Sequence, residues 1–187
     1  MERQHRLQAP LLGSAALLAL FTFSLVAAAK LNRTGDANTS FKVAGPAGLN
    51  IEGKTADMSV ADDGATVTVT VPLGNLSTGI ELRDKHTKNA LEVDKYPSCT
   101  LAVARSALKF PTAGGDTSGD ASGKMTLHGQ TKDVTFHYTA HLDGDTISVS
   151  GSTRVNVDDY GVKRPSYLGV TVKPDVDIAT AFRAKDN

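Results

Sequence analysis

Two histidines four residues apart, two acidic pairs, three isolated serines, one cysteine and an arginine beside an aspartate are the side chains whose types and spacing could do chemistry. His137 and His141 have a spacing that binds zinc on a helix, but the alternation on both sides of them reads as strand. Four strand residues separate the two rings by roughly 13 Å, too far to share an ion, so they are expected to face solvent. Asp158-Asp159 and Asp143/Asp145 lie near glycines without the ligand pattern of a calcium loop, and read as turn acids. Ser77, Ser106 and Ser166 lack the glycines of a nucleophile elbow, and no carboxylate pair stands where one pKa would rise. Cys99 is the only cysteine, with no metal-type partner, and is expected to be a small buried strand residue. Arg83 and Asp84 open a helical stretch, where a guanidinium could meet an anionic head group. The weightier reading of that pair is a salt bridge fixing the helix to a wall. These residues assemble no catalytic centre, metal site or cofactor box, and the expectation is a protein that is not an enzyme.

The elements that would carry them are mostly strands. Residues 78–97 are the exception: Leu82, His86, Ala90 and Val93 recur at helical spacing, and Thr78 with Glu81 has the form of a capping box. Pro97 must end that helix. In residues 65–71, Val67, Val69 and Val71 share one face and Thr66, Thr68 and Thr70 the other. Asp63-Gly64 just before them marks a hairpin. Residues 99–108 put Leu101 and Val103 opposite Ala102 and Ala104, and Met125 and Leu127 open a further strand. Residues 133–142 set Val134, Phe136, Tyr138, Ala140 and Leu142 against Thr135, His137, Thr139 and His141. Residues 146–157 form a long strand whose Gly151 predicts a bend or bulge, and residues 176–183 are expected to close the sheet. Residues 30–38 read as a mobile leader, and 111–123, rich in glycine and small polar residues, as a flexible hairpin tip or edge loop. About eight strands and one helix result, which favours a barrel enclosing a cavity over a sandwich.

At 187 residues the chain is long enough for one domain with a sizeable core. Its Lys+Arg count of 20 equals its Asp+Glu count of 20, so no basic excess points to nucleic acid. Arg3 and Arg6 precede an uncharged run over residues 7–29 that closes in Val26-Ala27-Ala28-Ala29. That is the form of an export signal cleaved before Lys30, and the competing reading is a retained anchor. Residues 1–29 are therefore expected to be a signal peptide and 30–187 a periplasmic barrel domain.

Gly48-Leu49 with Glu52-Gly53, Thr78-Gly79-Ile80-Glu81-Leu82-Arg83-Asp84 with His86 and Tyr96-Pro97, Leu127-His128-Gly129-Gln130-Thr131-Lys132, and Asp159-Tyr160-Gly161 with Pro165 occur in that order. On these motifs residues 40–183 resemble the YceI-like family of polyisoprenoid-binding, lipocalin-like periplasmic proteins. Thr87, Ala90 and Leu91 are smaller than the residues many members carry, and Ala44-Gly45-Pro46 replaces a histidine-containing stretch. The resemblance implies an all-β, eight-stranded antiparallel lipocalin-like barrel with one inserted helix beside its opening, and an apolar tunnel for an isoprenoid chain. The implied function is non-enzymatic binding, storage or transport of that lipid, an isoprenoid or a prenyl quinone, with no other cofactor. Transient contact with a membrane surface and a homodimer are compatible with it. An adhesion or assembly module and an enzyme acting on a lipid head group are the alternatives. Alternation and the helical stripe nominate Val67, Val69, Val71, Leu82, Leu101, Val103, Met125, Leu127, Phe136 and Tyr138 for the lipid, and Arg83 for its head group.

Overall fold

The computed structural model describes residues 30–45, 48–167 and 170–186. The expected export segment, residues 1–29, lies outside the described residues. Nine strands form one antiparallel sheet: β1 (Leu31–Ala44), β2 (Asn50–Thr55), β3 (Ser59–Asp62), β4 (Thr66–Pro72), β5 (Ser98–Ala104), β6 (Asp116–Leu127), β7 (Gln130–Asp143), β8 (Thr146–Asn156) and, last in the chain, β11 (Asp175–Asp186). Their order across the sheet is β2-β1-β11-β8-β7-β6-β5-β4-β3. A separate hairpin, β9 (Ser166–Tyr167) with β10 (Val170–Thr171), precedes β11. The sheet is curled, and its two ends approach each other without forming a ladder. Leu31 N–H donates to Asp62 Oδ2 at 3.0 Å, and the Thr39 hydroxyl lies 4.0 Å from the Met58 sulfur. Lys54 and Ser77 exchange backbone hydrogen bonds of 2.9 and 3.0 Å, tying β2 to the segment before the helix.

The antiparallel barrel-like fold with one helix is as expected, but several local expectations are corrected. Nine strands replace eight in the main sheet. β11 does not close the sheet; it lies inside it, between β1 and β8. Residues 31–38 are the first half of β1, not a mobile leader, because β11 supplies their partners from Leu31↔Asp186 onwards. The bulge falls there, between Thr34 and Ala37, and the β8 ladders run through Gly151 without a shift. Residues 116–123 are strand, not loop. Their glycines make room: a Cβ on Gly123 would lie 2.8 Å from the Ala102 carbonyl oxygen and 2.9 Å from Val103 Cγ2. Gly119 sits opposite Tyr138, whose ring covers it.

Turn chemistry works as the sequence implies. The Asp63 carboxylate accepts from Ala65 and Thr66 N–H at 2.8 and 2.7 Å, and Gly64 takes φ +90°. His128-Gly129 joins β6 to β7 in two residues with φ of +50° and +73°, as the twist of a hairpin requires. A side chain at Gly129 would also strike Tyr96, at 2.5 Å.

The helix, α1 (Glu81–Ala90), is shorter than residues 78–97. Its N-cap is Ile80 and makes no side-chain cap bond, so the capping box does not form. Asp84 reaches back instead, accepting from Thr78 N–H at 2.6 Å and from the Thr78 and Ser77 hydroxyls. After α1, Glu92 turns the chain with φ +46°.

Candidate functional site

The curl of the sheet leaves an internal cavity of about 770 Å³. Strand alternation builds its wall: alternate apolar residues of β4 and β5, of the last part of β6 and of the middle of β7 point inward. Val67, Val69 and Val71, Leu101 and Val103, Met125 and Leu127, Phe136 and Tyr138 all line it, while His137 and His141 are exposed on the other face. Those two histidines pair separately across the strands, with Asp120 and Asp116 at 2.9 and 2.8 Å. β11, β1 and β8 add Val176, Ile178, Phe182, Phe41, Val43, Ile147 and Val149, none of them among the residues nominated from the sequence. Alternation in residues 176–182 carried that signal already.

The cavity's two ends differ. At the Leu31 end, the segment after β5 folds Leu108, Lys109 and Phe110 against the lining. Lys109 N–H donates to the Tyr138 hydroxyl oxygen at 2.6 Å, and Arg105 lies 4.3 Å from the Phe110 ring centre while it pairs with the buried Asp62 carboxylate. At the opposite end α1 lies across the opening with no fully buried residue. Leu82, Arg83, His86, Thr87, Ala90 and Leu91 nevertheless line the cavity. Leu82 and Arg83 thus sit where the nominated contacts would need them.

The expected salt bridge fixing the helix to the wall, from Arg83 to Asp84 or to a wall carboxylate, is absent among the described residues. Asp84 is engaged by Thr78 and Ser77, and those bonds hold its carboxyl below the usual aspartate range, the Thr78 hydroxyl first and its N–H next. Arg83 has no ion-pair partner among the described residues and is only half exposed. Cys99 is half-buried in β5 and lines the cavity. Its apolar surroundings push the thiol up to about 11, so it stays a neutral wall residue at pH 7.

A second anchor holds the far end of the helix segment, and it joins residues of three of the family motifs, Tyr96, His128 and Tyr160. The His128 ring packs on Tyr96 at 4.7 Å between centroids, and its Nδ1 lies 3.1 Å from the Tyr160 carbonyl oxygen, which it reaches as a donor. Its Nε2 stands 3.4 Å from Glu92 Oε1, an ion-pair distance without hydrogen-bond geometry. The residues this site brings together are apolar walls plus a few cations. Among the described residues no Asp or Glu lines it, whereas Arg83, Lys109, Arg164 and Lys173 do.

A single antiparallel sheet curled around an elongated apolar cavity, with a helix across one end, defines a lipocalin-like barrel. The model of the YceI-like domain matches residues 26–184, and the chain belongs to that family. Among curated relatives, a UPF0312 protein of Pseudomonas putida is 29% identical over 128 residues, 64% of each chain. One from Pseudomonas fluorescens is 30% identical over 120 residues, 60% of each. These matches span less than two thirds of the relatives' length. Among solved structures, a polyisoprenoid binding domain from Saccharophagus degradans, implicated in plant cell wall breakdown, superposes with a TM-score of 0.70 at 16% identity. The superposition covers 86% of this chain and 99% of that one. Burkholderia cenocepacia BcnA gives 0.63 at 18% identity, over 80% of this chain and 96% of its own. At these identities the likeness is one of fold.

Proposed function

We propose that this chain is a non-enzymatic carrier or store for a long isoprenoid-type lipid, a polyisoprenoid or prenyl quinone, exported to the periplasm by residues 1–29. The observation that carries the reading is the cavity: about 770 Å³ with an almost wholly apolar wall. At about 30 Å³ per small group, it has room for about 25 CH₂-sized groups, a long chain and not a compact metabolite. Each such group removed from water contributes roughly 0.8 kcal/mol before the costs of association. The polyisoprenoid binding domain of Saccharophagus degradans, which shares the fold, supports the ligand class. An assembly module would have a solid-packed interior, and a lipid-modifying enzyme would place convergent acid and base groups at the opening. The opening carries Arg83 and His86, and among the described residues no carboxylate lines it, which favours binding.

Mass spectrometry of lipid extracted from the exported protein tests the reading. A stoichiometric isoprenoid is expected from the wild type, and its loss from Phe136→Asp, which puts an unpaired charge into the apolar wall. A protein that comes out empty and takes up no polyprenol or prenyl quinone on titration would overturn it.

A further inference from the structure

Large apolar side chains left in water carry information where they gather. Among the described residues those left exposed are Leu49, Ile80 and Leu82, at 45%, 49% and 62%. All three line the same cavity, and all three lie at its helix end. Leu49 stands in the β1–β2 connection, whose neighbouring Ala44 carbonyl accepts from Lys173 N–H at 2.8 Å. Ile80 and Leu82 open α1, and the Lys54–Ser77 bridge brings that start beside β2. The rim therefore brings apolar residues of two chain segments, the β1–β2 connection and the start of α1, to the opening.

Its charges have one dominant sign. Arg83, Arg164 and Lys173 line the cavity at this end, with His86 beside them. Arg164 is paired with Asp158 at 2.8 Å, while Arg83 and Lys173 have no ion-pair partner among the described residues. Of the acids on α1, Asp84 is turned back onto Thr78 and Ser77, and Glu81 is exposed outside the lining.

We propose that this rim is a docking surface for an anionic lipid bilayer. Exposed leucine and isoleucine side chains flanked by cations suit the boundary between head groups and acyl chains, where apolar tips are buried and cations meet phosphates. The position of the cavity argues for a bilayer over a protein partner. The opening runs through the patch, so a lipid passing between bilayer and barrel would cross the least water when the patch is seated. Docking goes beyond the cargo reading and depends on it only for its purpose.

The test places an environment-sensitive fluorophore on the full chain at Glu81→Cys, beside the patch, or at Asp143→Cys, at the opposite end, with Cys99→Ala in all arms. Vesicles are phosphatidylcholine alone or with phosphatidylglycerol added. The rim probe is expected to brighten and shift to the blue on the anionic vesicles, the Asp143 probe to stay unchanged. Ile80→Ser with Leu82→Ser should abolish the response without moving the melting temperature, since both side chains are already exposed. Arg83→Gln and Lys173→Gln should each weaken it about fivefold, as expected for one cation near an anionic surface. Equal responses at both ends, equal responses to neutral and anionic vesicles, or an unaffected patch variant would overturn the proposal. So would a silent vesicle arm with a concentration-dependent dimer that the patch variant dissolves, which would make the rim a self-association face. A barrel that takes up no prenyl lipid in solution would remove the cargo reading and leave the vesicle result standing.

Discussion

Arg83 is the residue whose role the structure changes most. Beside Asp84 in sequence it looks like half of an ion pair, yet the aspartate is held by Thr78 and Ser77 and the guanidinium lines the cavity opening. A half-exposed guanidinium at the opening of an apolar cavity is suited to the anionic end of an amphiphile. Arg83→Gln should therefore weaken binding of a prenyl phosphate about tenfold, the range of a charge-assisted hydrogen bond, and leave a neutral prenyl quinone nearly unaffected. Paired titrations on the same variant decide it. Equal losses for the two ligands would remove the head-group role.

At the scale of the element, α1 is fastened at its start by one carboxylate. Because the bonds from Thr78 lower the Asp84 pKa in the folded state, their stabilisation is complete above the ordinary aspartate value. It is lost as pH falls through the folded value, which lies below that one. The Thr78 amide resonance should accordingly titrate with a midpoint below the ordinary aspartate pKa of about 3.9, and Asp84→Asn should abolish the titration. An unchanged resonance in the wild type over that range would mean the fastening lies elsewhere. Which elements could be read from the sequence follows the same physics. β4 and β7 were legible because valine or aromatic residues alternate with threonine and histidine, so local pattern and tertiary facing agree. β6 was not, because Gly119 and Gly123 are there to admit Tyr138 and the β5 side chains, and a glycine set by a distant neighbour looks like a turn former. The first half of β1 was missed for a related reason: its partner is β11, at the far end of the chain. The nominated strand residues line the cavity, since alternation encodes facing, and Leu82 lies at its rim, but the Asp84 fastening and the His128 anchor depend on contacts that no spacing reveals.

For the whole molecule, the seam between the two ends of the sheet decides how firmly the barrel is shut. Asp62 is its fastener, accepting from Leu31 N–H while pairing with Arg105. Asp62→Ala removes the buried carboxylate that holds both the Leu31 N–H and the Arg105 guanidinium and should cost about 1–3 kcal/mol, measurable by equilibrium denaturation. An unchanged denaturation midpoint in that variant would show that Asp62 is not what holds the seam. The direction of β1 has a further consequence. The strand starts at Leu31 beside that seam and runs 14 residues to Ala44 beside the opening, about 40 Å of path at roughly 3.3 Å per residue. Only Lys30 separates its start from the uncharged run over residues 7–29. A retained N-terminal run would moor the barrel by the end away from the helix, with the helix-side rim pointing away from the mooring bilayer. Mooring and docking therefore exclude each other on one membrane: a processed chain could present its rim to any bilayer it meets, whereas a tethered one could serve only a membrane on the opposite side of the space it occupies.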